Sequence, residues 1–597
     1  MQPLNPVEAT VTLAGKQIHF VELKLEQHFY QSHHAEILVD FEELDVKWLA
    51  NPISLIKYIG DSLNITFKHK ISGDTYVFSG IVTNVTMKGR HGTQNHILIQ
   101  GADPSVKLSD SPTMDSFVNM PLNDIVKEAV GYSGNGTEIT VDSNFTKPID
   151  FVYQYGETCH QLLLRLCHNY GENYYYNGTQ LIFGKTIIGD TIPIKYDVEM
   201  TDYVLEANLL PSNFKHYAYL SAYDEKWEKE TQPEPESTGY LKIANDRSDE
   251  IYATNGITPL DATVNDSDAI LDIVKAKRKK IMANMLRLRG TTQTCKVGIG
   301  NIIIIDFPPN MQVETTEGEF IVTDVVHTVD QQGHYKNEFS SVRKALNQVP
   351  MPTITLPTAN PQQAKVTSNA DPKNQGRIQV EFQWQEARGK TTNYIKVQTP
   401  DAGGSDKVSS NRGLVTIPEE GDTVMVGFEF GNPDKPFSMG SLFSSKNGGG
   451  GGQGNKTKSL TTRSGSAMSL DDDKGSATLK DASGNIIELD GAGNINITVP
   501  NTITIKAKDI KLDAGNSVVI DSGSDGDGTI TINAKKSIEA ETETEGISLA
   551  SEQTLSLESR SADLKMDAST DFTIDATDIE VTSSGTLNMS SGDTNIM

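Results

Sequence analysis

Toward its C-terminal end the chain settles into a short beat. From Ile495 onward apolar residues stand in pairs two apart: Ile495/Ile497, Ile503/Ile505, Ile510/Leu512, Val518/Ile520, Ile530/Ile532, Ile547/Leu549, Leu555/Leu557, Leu564/Met566, Phe572/Ile574, Ile579/Val581 and Leu587/Met589. The steps cluster at seven to nine residues, interrupted by an insertion around Ser522 to Gly528 and a weaker unit at Ile538. Two apolar positions flanking one polar position form one face of a short strand, and repetition of that unit predicts stacked rungs rather than a globular domain. A single-chain triangular β-helix needs three faces per coil, about twenty residues or more. One unit here supplies a single face. Three chains, each giving one face, would close a prism around the apolar pairs, so the repeat length predicts a homotrimer. The predicted axis residues include Ile495, Ile497, Ile503, Ile505, Ile510, Leu512, Leu555, Leu557, Leu587 and Met589. A disordered acidic tail is the plain alternative, but disorder would not keep eleven pairs in phase.

Upstream the pattern changes. Val7 to Leu13, Ser62 to Lys70, Tyr76 to Val85, His96 to Gln100 and Gly318 to Val326 are rich in β-branched and aromatic residues and predict strands. Leu162, Leu163, Leu166 and Cys167 share one face of a helix predicted over Thr158 to Asn169, with Gly171 as its stop. Recurrence of Ile270, Ile273, Val274, Ile281, Met285 and Leu288 at three and four predicts a second helix over Ser267 to Arg289. In the middle, Ile378, Val380, Phe382 and Trp384 alternate along Arg377 to Trp384. Tyr394 to Val397, Gly413 to Ile417, Thr423 to Phe430 and Phe437 to Phe443 add four more short strands. Five strands with Gly/Pro/Asp turns predict an OB-fold or a similar barrel.

Punctuation divides the 597 residues. A Pro-rich stretch runs from Pro350 to Pro361, and a nearly all-Gly run from Asn447 to Asn455. The expected segments are a first domain at 1–349, a linker at 350–361, a barrel at 362–444, a Gly-rich linker at 445–467 and the repeat at 468–597. Composition marks the repeat as a separate object. The net charge is -27, and Ser466 to Met597 hold 24 Asp+Glu against 9 Lys+Arg. Beyond residue 444 the only aromatic is Phe572. This acidity works against nucleic acid as a partner. Three cysteines make no disulfide framework, the first thirty residues lack a secretory pattern, and no apolar run is long enough for a spanning helix. The expectation is cytoplasmic assembly, with any export by another route.

The middle segment carries dense signatures: Asp371-Pro372-Lys373-Asn374-Gln375-Gly376-Arg377, Ala402-Gly403-Gly404, Ile417-Pro418-Glu419-Glu420-Gly421-Asp422, Gly431-Asn432-Pro433-Asp434-Lys435-Pro436 and Met439-Gly440-Ser441-Leu442. These resemble the OB domain of VgrG and Rhs-associated Vgr spike proteins of contractile injection systems. Arg165-Leu166-Cys167-His168-Asn169-Tyr170-Gly171-Glu172-Asn173-Tyr174-Tyr175-Tyr176 resembles a helix-to-strand segment of that family's phage hub-like domain. His327 and Gly333-His334-Tyr335-Lys336-Asn337-Glu338-Phe339 resemble its closing strands. The resemblance implies a mainly β protein: phage hub-like β-barrel domains with helical inserts, an OB-fold barrel and a C-terminal trimeric β-helix needle. It implies a structural puncturing spike that joins a hexameric tube protein to a PAAR-type tip protein, meets baseplate components, carries effectors and touches a target membrane transiently. The related phage spike has a lysozyme domain between barrel and needle, where this chain has the Gly-rich linker. The last rung has no successor in this sequence, so Asn595, Ile596 and Met597 are the expected docking site for the tip.

Other chemistry is sparse. Cys159-His160 and Cys167-His168 lie eight residues apart on the first predicted helix, about 12 Å along its axis, too far to share one metal ion. Lys275, Lys277, Arg278, Lys279, Lys280, Arg287 and Arg289 read as a solvated basic face, with a partner-facing surface as the alternative. Gly523-Ser524-Asp525-Gly526-Asp527-Gly528 occurs once and reads as a bulged turn. No HExxH, P-loop, GxSxG or CxxC pair is present, so no catalytic, cofactor or metal site is expected. The rival readings are a lytic or polysaccharide-degrading β-helical enzyme, which would need longer coils or a catalytic insert, and a trimeric adhesin stalk, which would need a signal peptide and a membrane anchor.

Overall fold

The computed structural model describes the chain except residues 1–4, 45–55, 89–95, 134–135, 186–190, 221–223, 308–317, 524–526 and 593–597. It forms two units, one of residues 1–482 with 487–496 and one of 483–486 with 497–597.

In the first unit, strands from two distant stretches of sequence merge into one 13-stranded sheet. Glu22–His28, His34–Asp40, Ser62–His69, Thr75–Lys88 and His96–Ala102 come from the first hundred residues, while Leu286–Thr292, Phe320–Val329 and Tyr335–Arg343 come from much later. The seam is the antiparallel pairing of Phe320–Val329 with Glu22–His28, which sets His327 opposite Leu25 and Asp324 opposite His28. Alternation decides which faces are dry: Leu23, Leu25, Ile37, Val39, Ile65, Phe67, Ile97 and Ile99 are all buried.

Between these stretches lie the helical inserts: α1 (Leu122–Ser133), α2 (Cys159–Tyr170), α3 (Gly239–Ile251) and α4 (Ser267–Ala283). Helix α2 has the predicted place and the predicted stop. Thr158 and Gln161 form a capping box, and Gly171 ends the helix in the left-handed region at φ 77°. A Cβ at Gly171 would stand 2.5 Å from the Ala276 Cβ on α4, so this position serves helix packing as well as the turn. Helix α4 stops earlier than its periodicity predicts. It ends at Ala283, and Leu286–Thr292 is a strand. Leu286-Arg287-Leu288-Arg289 fits both periods locally, and pairing with Tyr335–Arg343 and Met200–Ala207 on either side selects the strand. Helices α1 and α3 were not among the predicted elements.

The barrel's sheet has the order Gln379–Phe382, Gln362–Ser368, Thr423–Phe428, Pro436–Ser441, Lys396–Val397. Two expectations shift. Gln362–Ser368 supplies an inner strand, whereas of the predicted strand Gly413 to Ile417 only Gly413 is paired, in an exposed ribbon of Arg412–Gly413 with Ala402–Gly403. The barrel's core of Val366, Ile378, Val380, Phe382, Val424 and Val426 is completed by Phe151 and Tyr153 from the strand Pro148–Glu157 of the preceding segment.

After the barrel, Thr457–Thr461, Ala467–Asp471, Ser476–Lys480, Ile486–Leu489 and Ile495–Thr498 form a five-stranded sheet in chain order. The first of these strands lies inside the stretch expected to be a Gly-rich linker. In the second unit no strand is formed beyond Thr498 among the described residues, and every described residue from 500 on is exposed.

Two histidines are locked into the first unit's core. His327 stacks on Phe67 at 4.8 Å and on Tyr76 at 4.9 Å, with Nδ1 2.7 Å from the Tyr335 hydroxyl. His33 lies 3.0 Å from the Gln27 amide. Burial pushes the imidazoles from the ordinary 6.5 down to about 3 for His327 and about 4 for His33. Both are neutral when folded and protonated when unfolded between those values and 6.5. Their contribution to stability is therefore complete above pH 6.5 and is lost as pH falls toward the folded values. Thermal unfolding followed from pH 7 to pH 5 should show a falling midpoint, each histidine contributing up to about 1.4 kcal/mol per pH unit. His327→Gln should lower the midpoint at pH 7 and flatten that dependence. An undiminished slope would remove His327 as its source.

Candidate assembly interface

Two signatures far apart in the sequence meet where the barrel joins the preceding segment. Arg165, on the buried side of α2, is only 2% exposed. Its Nη1 donates to the Asp434 carboxylate at 2.7 Å, its Nε and Nη2 donate to Glu157 at 2.8–3.1 Å, and Nη2 also donates to the Tyr153 carbonyl at 2.8 Å. The other Asp434 oxygen accepts the Tyr153 backbone N–H at 2.8 Å. A buried guanidinium is tolerable only with its donors satisfied, and here two carboxylates and a carbonyl do that. Around the cluster the Tyr153 ring stacks on Trp384 at 4.5 Å and lies 5.9 Å from Phe382. Gln385 donates to the Ser116 hydroxyl at 2.6 Å, Lys390 bridges Asp115 and Glu128 at 2.8 and 2.7 Å, and Arg388 also pairs with Asp115. The joint therefore combines an aromatic core with a sealed ionic network.

Other signature residues have local work. Asp371 accepts N–H bonds from Lys373 at 2.9 Å and Gln375 at 2.8 Å, and the Arg377 guanidinium closes on it at 2.7 and 3.0 Å. Burial opposes ionisation, yet these donors hold the Asp371 carboxyl well below the usual carboxylate range. The loop is thus stapled by one side chain.

The basic run on α4 is not a solvated face. Lys277, Arg278 and Lys280 are buried, and Lys280 donates to the Asn173 side chain at 2.6 Å and the Tyr30 hydroxyl at 2.9 Å. Burial pushes the Lys280 ammonium down to about 8. Lys279 pairs with Glu236 at 2.6 Å, Arg287 and Arg289, now on a strand, pair with Asp324 and Glu206, and Lys275 stays exposed as a solvated face requires. The helical periodicity marked the apolar side but not the packing of α4 on both sides. Cys159 and Cys167 are buried, and burial pushes the Cys159 thiol up to about 12, which disfavours the thiolate that metals bind. Among the described residues no group of three His, Cys, Asp or Glu could hold a metal.

The predicted axis residues Ile495, Ile497, Ile503, Ile505, Ile510, Leu512, Leu555, Leu557, Leu587 and Met589 are between 52% and 74% exposed in the single chain. Their alternation is present and their burial is not. Asn595, Ile596 and Met597 lie outside the described residues, as do Ser524, Asp525 and Gly526 of the Gly/Asp run.

Residues 37–333 match the phage tail baseplate hub (GPD) family, and residues 362–443 match the type VI secretion system and phage-baseplate injector OB domain. Among solved structures, a chain of the lidded Francisella PdpA–VgrG complex is 9% identical at a TM-score of 0.51, covering 82% of this chain and 80% of that one. The lidless PdpA–VgrG complex gives 8% identity and a TM-score of 0.51, with 83% and 99% covered. The E. coli c3393 protein, a type VI secretion component described as similar to the T4 bacteriophage tail proteins gp27 and gp5, is 14% identical at a TM-score of 0.46, with 72% and 99% covered. No curated protein sequence matches this chain. At these identities the Francisella likeness is one of fold.

Asp434→Ala would leave Arg165 buried with one carboxylate. Breaking such a pair should cost about 3–5 kcal/mol, read by urea unfolding, and should speed protease cleavage in the Pro350 to Pro361 stretch. A loss below about 1 kcal/mol, the range of an exposed pair, would mean that the joint is held by its aromatic core alone.

Proposed function

The chain belongs to the phage-baseplate hub and type VI injector family, and from that premise we propose that three copies form a puncturing spike which couples the tube of a contractile machine to its tip. The spike-like structural role comes with the family. The trimeric β-helix needle, the expected segment boundaries and the individual partners are our reading.

One observation carries it: the repeat's apolar pairs stand in phase and are exposed among the described residues. A fully buried Ile or Leu side chain stabilises by roughly 1.5–3 kcal/mol. A lone chain forgoes that at every rung and leaves its backbone groups without strand partners. Three parallel chains in register supply both, placing the pairs on the axis and the acidic residues outside. Closed, stacked strands have few free edges, which suits an object driven through an envelope. The work is mechanical, with no catalytic step assigned to the chain, and effectors travel as passengers. In the same reading a PAAR-type tip protein sits on the last rung, at Asn595, Ile596 and Met597, while the hub meets the tube and baseplate.

Light scattering on the full chain should give three times the 65.2 kDa protomer mass. Ile505→Asp would set three carboxylates side by side on the axis, at a cost of several kcal/mol each unless they take up protons. Relative to wild type, the substituted trimer should lose more of its melting temperature at pH 7 than at pH 4. A wild-type monomer, or an Ile505→Asp protein that melts like wild type at neutral pH, would overturn the axial assignment.

Removing Leu587 to Met597 should leave the trimer folded, because stability in a repeat is local, while abolishing capture of the tip protein. Retained capture by the shortened trimer would rule out the last rung as the docking site.

A further inference from the structure

Lys280 is held against a side-chain amide in the interior of the first unit. Its Nζ donates to the Asn173 Oδ1 at 2.6 Å, the Tyr30 hydroxyl at 2.9 Å and the Val349 carbonyl at 3.4 Å. Lys280, Asn173, Tyr30 and Glu172 are all buried. The amide carbon of Asn173 lies one C=O bond beyond that oxygen, which puts Nζ within about 3.8 Å of it. Reacting atoms in a productive arrangement stand about 3–3.5 Å apart, so the pair is close to the geometry of attack.

The surroundings suit covalent chemistry. Burial pushes the Lys280 ammonium down to about 8, which leaves a share of the amine uncharged and nucleophilic near neutral pH. The Tyr30 hydroxyl donates to the Asn173 Oδ1 at 3.1 Å, where negative charge would develop during attack. Tyr30 stands at φ 67°, a left-handed backbone that a bulky residue adopts only at a cost, and such cost is retained chiefly at functional positions. Glu172 precedes Asn173 in the chain. Burial raises its carboxyl above the ordinary value, although it accepts N–H bonds from Phe145 at 2.7 Å and Asn144 at 2.9 Å. A carboxyl that holds its proton more readily than usual is suited to relaying one.

We propose that Lys280 and Asn173 join in an intramolecular isopeptide bond, a self-modification made once per folded chain. From the uncharged amine, the Nζ lone pair forms a new C–N bond to the Asn173 amide carbon, and the bond from that carbon to Nδ2 breaks. A proton from Nζ travels through Glu172 to Nδ2, which leaves as ammonia. No oxidant or cofactor enters the balance. The product is a secondary amide tying α4 to the strand Asn173–Tyr176 across 107 positions of sequence. It closes a long loop as a disulfide would, without depending on the redox state of the compartment. It does not rest on the trimeric reading.

Mass spectrometry of the denatured full chain tests it. The wild type should weigh one ammonia, about 17 Da, less than its sequence. Trypsin should release residues 166–185 joined to residues 280–287, with no cleavage after Lys280. Asn173→Ala should restore the full mass. Asn173→Asp should reach the mass of the linked wild type, because Lys280 then displaces water instead of ammonia. Glu172→Gln should remain largely unlinked. A wild type at its full sequence mass and cleaved after Lys280 overturns the proposal without recourse to any variant, and a deficit mapped to another asparagine or glutamine does the same. A Glu172→Gln chain linked as completely as wild type overturns the assigned proton path.

Discussion

A guanidinium cannot be carried into a protein interior without partners, and that constraint organises the joint between the hub segment and the barrel. Arg165 leaves α2 and is satisfied from three directions: by Glu157 just before the helix, by the Tyr153 carbonyl of the adjacent strand, and by Asp434 from the barrel. The last contact makes the barrel part of the hub's own hydrogen-bonding requirements. Phe151 and Tyr153 do the same for apolar area, since they belong to the barrel's core while sitting on a hub strand. The hub segment and the barrel thus share a core and an ionic cluster within one compact unit, even though the chain connecting them is rich in proline.

The repeat behaves in the opposite way. Its apolar residues are regular but exposed, and its backbone beyond Thr498 has no strand partners among the described residues. A repeat that is in phase but exposed has unspent stabilisation, and association is the ordinary means of recovering it. The five-stranded sheet before it follows a different rule. Its strands fold back on one another in chain order, with Gly465, Gly475, Gly484 and Gly493 at positive φ in the turns.

Charge also has different meanings in the two parts. The acidic repeat has the solvated surface that its composition suggests. The basic run on α4 does not, because Lys277, Arg278 and Lys280 occupy buried positions on a helix packed from more than one side. A charge pattern on one helix reports how that helix would behave alone, and burial depends on what the rest of the chain places against it. His327 teaches the same lesson: its stacking partners Phe67 and Tyr76 lie some 250 residues earlier in the chain.

By itself the sequence determined features whose physics is local. Helix α2 and its stop depend on residues within a turn of each other, most predicted strands depend on a period of two, and the repeat's spacing is visible without any partner. The family signatures Arg165-Leu166-Cys167 and Gly431-Asn432-Pro433-Asp434 were legible as motifs, but not as neighbours. Tertiary structure decided what required two segments at once: Arg165 meeting Asp434, Leu286–Thr292 becoming a strand between two others, Gln362–Ser368 becoming an inner strand of the barrel's sheet, and Lys280 being buried. The physical reason is range. Helix caps and strand alternation are settled over a few residues, whereas burial and the pairing of buried charge are settled by whichever distant surface comes to lie across from them.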